Sequence, residues 1–419
     1  MTIETLRQEA QTQFKSLGYP NQKMEGWRYM DLAPLTGTRF VVPQARTMDV
    51  REILRFRVAH DEERLTFVNG YFSRDLSMVR ALPAGVALQN LADAMLGAQK
   101  EIVQRYLASH LKEEANAFAA LNTSHFRQGA FLYLPDKAVM DKPVHILFLN
   151  TNEQEAPVVY PRILIVAGES ARVKVTVTHR SLGLARFFKN SVTEAYLGPG
   201  ACLDYSEFSR GSEGVLNHTA NRFYLKKHAA LNLLSFLQGA SASREETLVE
   251  FEEEHAFASL TGLSVLQGNS QAFRHVTVNH RVGHCTSRQF FKNILTGKSK
   301  SEFNSLVFVH KDAQKSDSKQ LNKNLLLSEF AQVFTRPQLK IEADDVSATH
   351  GATVGQLDEN ELFYLRSRGI KKEEAQLILT HGFAEEIIEL AESPTLKKEW
   401  DELVKKELSN VDRGRVSSP

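Results

Sequence analysis

Apolar residues change their spacing twice along this chain. Ile3, Leu6, Ala10, Phe14 and Leu17 recur three or four apart, one face of an amphipathic helix, until Gly18, Tyr19 and Pro20 stop the run. Leu65 to Tyr71 (LTFVNGY) reads as a short strand closed by an Asn-Gly turn. Helical spacing returns from Ile102 to Phe118 through Tyr106, Leu107, His110 and Leu111. Residues 1–120 are therefore expected to form a mainly helical N-terminal cap.

From Gly129 to Val346 the chain becomes short runs of Val, Ile, Leu and Phe separated by Gly, Asn, Asp and Pro, the pattern of many short strands. A loose repeat runs through it. Ala171, Ala201, Ala229 and Ala256 follow one another at steps of 30, 28 and 27 residues. Each has an apolar residue five positions before it (Val166, Tyr196, Tyr224, Phe251) and apolar residues two and four after it. The latter are Val173 and Val175, Leu203 and Tyr205, Leu231 and Leu233, and Ala258 and Leu260. The string FFKN also occurs twice, at Phe187–Asn190 and Phe290–Asn293. One strand-turn-strand unit cannot bury its own apolar face, so copies at a fixed step stack and share a core. The expectation is a mainly β protein with a parallel β-helix over residues 121–350. A β-sandwich or jelly roll would give similar strands but has no reason to repeat every 28 residues or so.

The second change of spacing comes after Gly355. Leu362 and Leu365 share a helix face; Ala375, Ile378 and Leu379 precede Gly382; Ile387, Ile388 and Leu390 run to Pro394. Leu396, Trp400, Leu403, Val404 and Leu408 mark the clearest helix. Residues 351–419 thus read as a C-terminal helical region ending in a frayed SNVDRGRVSSP.

Between the two textures lies Pro337–Ile370. Leu339 and Ile341 alternate with Lys340 and Glu342 as in a half-buried strand, which the pattern extends to Val346. Thr349, His350 and Gly351 read as a turn, Asp358 with Glu361 as a capping box, and Gly369 as a helix stop.

Charge selects no partner class: 51 Lys and Arg against 50 Asp and Glu leave a net +1 in 419 residues, without the basic footprint of a nucleic-acid binder. The N-terminus has no apolar stretch of signal-peptide length, and no run approaches the ~20 apolar residues of a membrane span, so a cytoplasmic protein is expected. Cys202 and Cys285 are its two cysteines, so a four-cysteine metal site cannot be self-contained. The phosphate-binding, dinucleotide, zinc-protease and nucleophile-elbow motifs are missing, so any use of ATP belongs to a partner.

Candidate chemistry is sparse. Trp27 and Tyr29 beside Glu25 and Arg28 fit a packing anchor better than a ligand platform. His275, His280, His284 and Cys285 crowd together, but strand alternation would turn His280 and His284 one way and His275 and Cys285 the other. Neither cysteine qualifies as a nucleophile, and the adjacent Asp344 and Asp345 fall on opposite strand faces. His350 precedes a glycine and follows the strand body; neutral imidazole suits iron and other borderline metals, but the spacing alone favours a plain turn residue.

Several of these strings resemble the SufB/SufD family of the SUF iron-sulfur cluster assembly system, nearly end to end. They are GWRYMDL (Gly26–Leu32), FVNGYF (Phe67–Phe72), FAALNTSHF (Phe118–Phe126), VNHRVGHCTSRQFFKNIL (Val278–Leu295), QLNKNLLL (Gln320–Leu327) and ADDVSATHGATVGQLDENELFYLRSRGI (Ala343–Ile370). HGATVG at His350–Gly355 is similar to the SufD branch, whereas SufB sequences carry HEA there.

The resemblance implies a right-handed parallel β-helix between helical N- and C-terminal regions. It implies a non-catalytic scaffold that pairs with SufB through the β-helices and binds a SufC ATPase through the C-terminal helices, with sulfur arriving from a cysteine desulfurase system. His350 would be a ligand for iron or a nascent iron-sulfur cluster shared with SufB. Leu362, Phe363, Tyr364, Arg366, Arg368 and Gly369 would lie in the ATPase-docking region. Ala348 stands where many relatives carry a cysteine. A homodimer of the isolated chain stays open, and no residue here carries the family's link to reduced flavin. The readings from other classes are a polysaccharide-active β-helix enzyme and a metal-free interaction solenoid.

Overall fold

The computed structural model describes residues 2–151, 156–183, 186–212 and 214–409. The run from Asn410, expected to fray, and the side chain of Leu408 lie outside the described residues. The chain winds between two sheets as a parallel β-helix of about eight turns. Sheet I runs in spatial order Tyr71–Phe72, Glu63–Val68, Val144–Thr151, Arg172–Leu182, Cys202–Arg210, Ala230–Gln238, Phe257–Leu266, Thr286–Leu295, Asp317–Leu326, Ser347–Gly355. Sheet II runs Ala87–Asn90, Ala130–Leu134, Arg162–Ala167, Phe187–Leu197, Val215–Leu225, Ala242–Phe251, Gln271–His280, Lys300–Val309, Gln332–Ile341. Antiparallel pairing occurs where each sheet begins; one such pair is closed by Asn69 and Gly70 at φ 55° and 82°, the expected turn.

The repeat seen in the sequence is the pairing register itself. Val173, Leu203, Leu231 and Ala258 stack as one ladder, and Val175, Tyr205, Leu233 and Leu260 as the next, all in the main core. Each Val and Leu side chain buried in these ladders contributes roughly 1.5–3 kcal/mol. The upstream positions agree less well. Tyr196 pairs with Tyr224 on the outer face, but Phe251 pairs with Leu225 and is interior, because the step there is 26 residues in sheet II against 27 in sheet I, one residue more in the corner between them. The two FFKN strings are not equivalent either: one opens a strand of sheet II and the other lies mid-strand in sheet I.

At one corner seven successive turns pass through the left-handed region, at Lys137, Ser170, Gly200, His228, His255, His284 and Lys315, with φ between 57° and 68°. Histidine tolerates this conformation better than most residues. His228, His255 and His284 stack on one another there, with ring centroids 5.0 and 4.7 Å apart.

The helical regions cover the outer faces. The N-terminal helix Ile3–Leu17 packs beside Ala117–His125, and Arg7 donates to the Phe126 carbonyl at 2.8 Å. The helix expected from Ile102 to Phe118 breaks into Lys100–Tyr106 and Ala117–His125 because Ala108 adopts φ 53° and its N–H donates to Glu194 Oε2. Trp27 is a packing anchor: it is buried, with the Arg244 guanidinium 3.6 Å from its ring centroid.

The C-terminal helices Glu359–Ser367, Lys372–Ile388 and Pro394–Ser409 follow the last strand, and the latter two pack on sheet I. Gly382 does not end a helix as expected. Helix Lys372–Ile388 runs through it, because Ala384, Ile387 and Ile388 bury against Leu263 and Ile294, which outweighs the ~1 kcal/mol propensity cost of one glycine. Trp400 closes this layer against Phe236, with centroids 4.7 Å apart. No helix among the described residues is long and apolar enough to cross a membrane.

Candidate functional site

His350 does not lie in a turn. It is the fourth residue of Ser347–Gly355, the last strand of sheet I, which pairs in parallel with Asp317–Leu326 on one side only. The terminal strand of sheet II, Gln332–Ile341, also has one free edge, and Pro337, which has no N–H to donate, is tolerated there. The strand expected from Leu339 to Val346 ends at Ile341, and residues 342–346 are the connection that crosses from one sheet to the other, to Ser347.

Register decides which way His350 faces. It continues the column Gln289, Gln320, whose side chains are buried inside the β-helix, and so belongs to the interior side of the final turn. It is exposed because no further turn covers it. The neighbouring columns are Ser287, Ser318, Ala348 and Asn293, Asn324, Val354.

The interior beneath His350 is polar, unlike the apolar ladders earlier in the chain. Ser287 donates to Ser318 Oγ at 2.9 Å, Asn293 Nδ2 to Asn324 Oδ1 at 2.7 Å, and Asn324 Nδ2 to the Thr353 carbonyl at 3.0 Å. Ser305 Oγ donates to Gln289 Oε1 at 2.7 Å and accepts from Gln320 Nε2 at 3.2 Å. Gln320 Oε1 is buried and has no hydrogen-bond partner.

Further inside sits an ionic cluster that sequence reasoning missed. Lys189, Glu207, Glu245 and Arg274 are buried between the sheets, with Arg274 Nε 2.8 Å from Glu245 Oε2. Burial brings the Lys189 ammonium down to about 8. His179, 3.2 Å from Glu207, falls to about 4 through burial and the nearby Lys189 charge. Burial alone would raise Glu207, but His179, Lys189 and Asn221 outweigh it and hold the carboxyl low. In the sequence nothing marked it but a single charge on the inner face of each strand, Lys189 in FFKN for example.

The crowded histidines separate. His275 lies on the outer face, 3.0 Å from Glu302 Oε2 and 3.2 Å from Arg244 Nη1. His280 is fully buried, bonded to Ser287 Oγ at 2.9 Å and pushed down to about 4 mainly by burial. His284 belongs to the exposed corner stack, so it does not point with His280: the strand ends at His280 and alternation stops there. Cys285 is interior, its thiol raised to about 11 by burial, and Cys202 is half-buried with its thiol also raised, first by burial and then by Asp204. Neither is disposed to act as a thiolate. Among the described residues no three His, Cys, Asp or Glu side chains gather to hold a metal ion.

Past the last strand, Asp358 caps helix Glu359–Ser367 by accepting from the Asn360 and Glu361 amides, and Gly369 at φ 87° ends it. The reciprocal Glu361 bond of a capping box is not formed among the described contacts. Leu362 is buried, while Phe363 and Tyr364 are 72% and 57% exposed. Arg368 lies over the Tyr364 ring, and Phe363 and Arg366 line a groove of about 510 Å³ with Leu327 and Glu329.

Residues 148–383 match the family described as SUF system FeS cluster assembly, SufBD core domain, and residues 1–146 match the SufBD protein N-terminal region. An iron-sulfur cluster assembly SufBD family protein of Synechocystis is 30% identical over 394 residues, covering 91% of this chain and 86% of its own. The iron-sulfur cluster assembly protein SufD of Escherichia coli is 29% identical, covering 91% and 88%. SufD of Bacillus subtilis is 24% identical, covering 99% and 94%.

Proposed function

This chain belongs to the SufBD family of iron-sulfur cluster assembly proteins, and we propose that it serves there as a SufD-type scaffold subunit whose His350 is one half of a shared metal site. The observation that carries the reading is the position of His350 on an unpaired edge strand, facing the interior side of a β-helix that lacks its next turn. A free strand edge is a template for pairing with another chain. A SufB-type chain, adding its own strands to this end, would cover His350 and bring donors to it.

The chemistry agrees with the composition. An imidazole is a good ligand for iron, but a nascent cluster also needs thiolate. Cys285 is buried with its thiol raised, and Cys202 begins a strand five turns away from His350, so the thiolate must come from the partner. The iron or cluster is then cargo, held between two chains before transfer. The exposed Phe363, Tyr364, Arg366 and Arg368, with the turn at Gly369, form the surface on which a SufC-type ATPase would dock, and ATP hydrolysis belongs to that partner. In the absence of a SufB-type chain, the same edge would support a homodimer.

The test is His350→Ala in the chain co-expressed with its SufB-type and SufC-type partners. His350 is exposed, so the fold and complex formation should be unchanged while iron in the purified complex and maturation of client proteins fall at least severalfold. Wild-type iron content in the variant would refute the ligand role.

A further inference from the structure

Building on the reading of His350 as a ligand, we propose that Gln320 is its positioning residue, accepting the His350 Nδ1 proton so that the Nε2 lone pair faces out of the open end. Gln320 lies directly opposite His350 in the parallel pair, on the same interior column, where neighbouring strands are about 4.8 Å apart. Its side chain is 3% exposed. The orientation of its amide is fixed from the other side. Nε2 donates to the Gln338 carbonyl at 3.4 Å, an acceptor only, and to Ser305 Oγ at 3.2 Å. The single Ser305 proton is already given to Gln289 Oε1 at 2.7 Å. Flipping the Gln320 amide would set its oxygen against two acceptors, so the NH₂ stays inward and Oε1 stays free.

That free oxygen is the second observation. Gln320 Oε1 is buried without a partner, which is unfavourable until a donor reaches it. Gln289, one turn deeper, has its oxygen satisfied by Ser305, so the column has one unclaimed acceptor, the one nearest the open end. The next residue of that column is His350. A rotation of its exposed imidazole toward Gln320 supplies the missing donor from Nδ1, and Nε2 is left unprotonated for a metal. A ligand histidine whose second nitrogen is held in this way has its tautomer and ring plane set before the metal arrives.

The experiment is long-range ¹H–¹⁵N NMR of the full chain labelled in histidine, at pH 8, with the His350 signals identified by their loss in His350→Ala. Free imidazole favours a proton on Nε2, so a His350 protonated on Nδ1 in the wild type is the expected result and one on Nε2 overturns the proposal without any variant. Gln320→Met keeps the length and removes the acceptor; His350 should revert to the Nε2–H tautomer. In the complex with a SufB-type chain, Gln320→Met should weaken Fe²⁺ binding by about 10- to 100-fold. An unchanged tautomer in Gln320→Met defeats the proposal even where iron depends on His350. Iron that does not depend on His350 defeats the ligand reading and leaves the tautomer result to stand alone.

Discussion

Gly262→Ala is expected to destabilise this protein severely, and for a reason that a second substitution can isolate. Gly262 lies on the inner face of sheet I, where Arg274 crosses the interior from sheet II. A Cβ there would be 1.9 Å from Arg274 Nη1 and 2.8 Å from a Phe291 ring carbon. The guanidinium would have to leave a position in which Nη2 reaches Ser235 Oγ at 3.2 Å and Nε lies 2.8 Å from Glu245 Oε2. Glu245 is largely buried, and stripping one partner from a buried ion pair costs about 3–5 kcal/mol. Crowding the Phe291 ring adds about 1–3 kcal/mol. Arg274→Met removes the guanidinium and pays the first cost by itself. On that background Gly262→Ala should cost only the ring crowding, about 1–3 kcal/mol. Urea midpoints of the wild type, both single variants and the double variant form a cycle with an expected coupling above about 2 kcal/mol. If Gly262→Ala costs the same in both backgrounds to within about 0.5 kcal/mol, the clash with Arg274 is not what makes glycine necessary.

Two further outcomes can be measured with the same material. His280 is kept neutral in the fold, at about 4 against its ordinary 6.5, so the unfolded chain takes up the proton first as pH falls. Stability is therefore retained above pH 6.5 and lost between 6.5 and 4, by about 3 kcal/mol for this one group. His179, also at about 4, and His145 and His218, both lowered by burial, add to the same limb, so His280→Gln should lessen the fall in urea midpoint without abolishing it, and an unchanged slope would contradict the assignment. At the C-terminal region, Phe363→Asp with Arg366→Glu should lower affinity for a SufC-type ATPase more than 10-fold while leaving the melting temperature unchanged, since both side chains are exposed. Binding at wild-type strength would move the docking surface elsewhere. Deleting the region from Glu373 is a poorer test, because it uncovers Phe208, Phe236, Leu263 and Ile294 on sheet I.

How much of this was legible follows from what each residue packs against. The ladder through Val173, Leu203, Leu231 and Ala258 was readable because each of these residues stacks on an apolar neighbour in the adjacent turn, so composition tracks register. His350 was misread as a turn residue for the opposite reason. The last strand has a neighbour on one side only, and Ser347–Gly355 lacks the apolar alternation that burial imposes. The ionic cluster of Lys189, Glu207, Glu245 and Arg274 was invisible because its members are charged residues on different strands, and only the coiling brings them together. Gly382 looked like a stop because local propensity says so, and tertiary burial of Ala384 and Ile387 overrides it. The resemblance of Ala343–Ile370 to the SufB/SufD family supplied the role of His350 that spacing alone left open.

The central claim is that the His350 imidazole binds iron in a site completed by another chain. Pulsed electron paramagnetic resonance on the reduced, cluster-loaded complex, with only this chain labelled in [¹⁵N]histidine, tests it most directly. The account predicts a ¹⁵N hyperfine coupling of the strength of a directly bound nitrogen, abolished by His350→Ala. A paramagnetic cluster without that coupling, or with one that survives in His350→Ala, would contradict it.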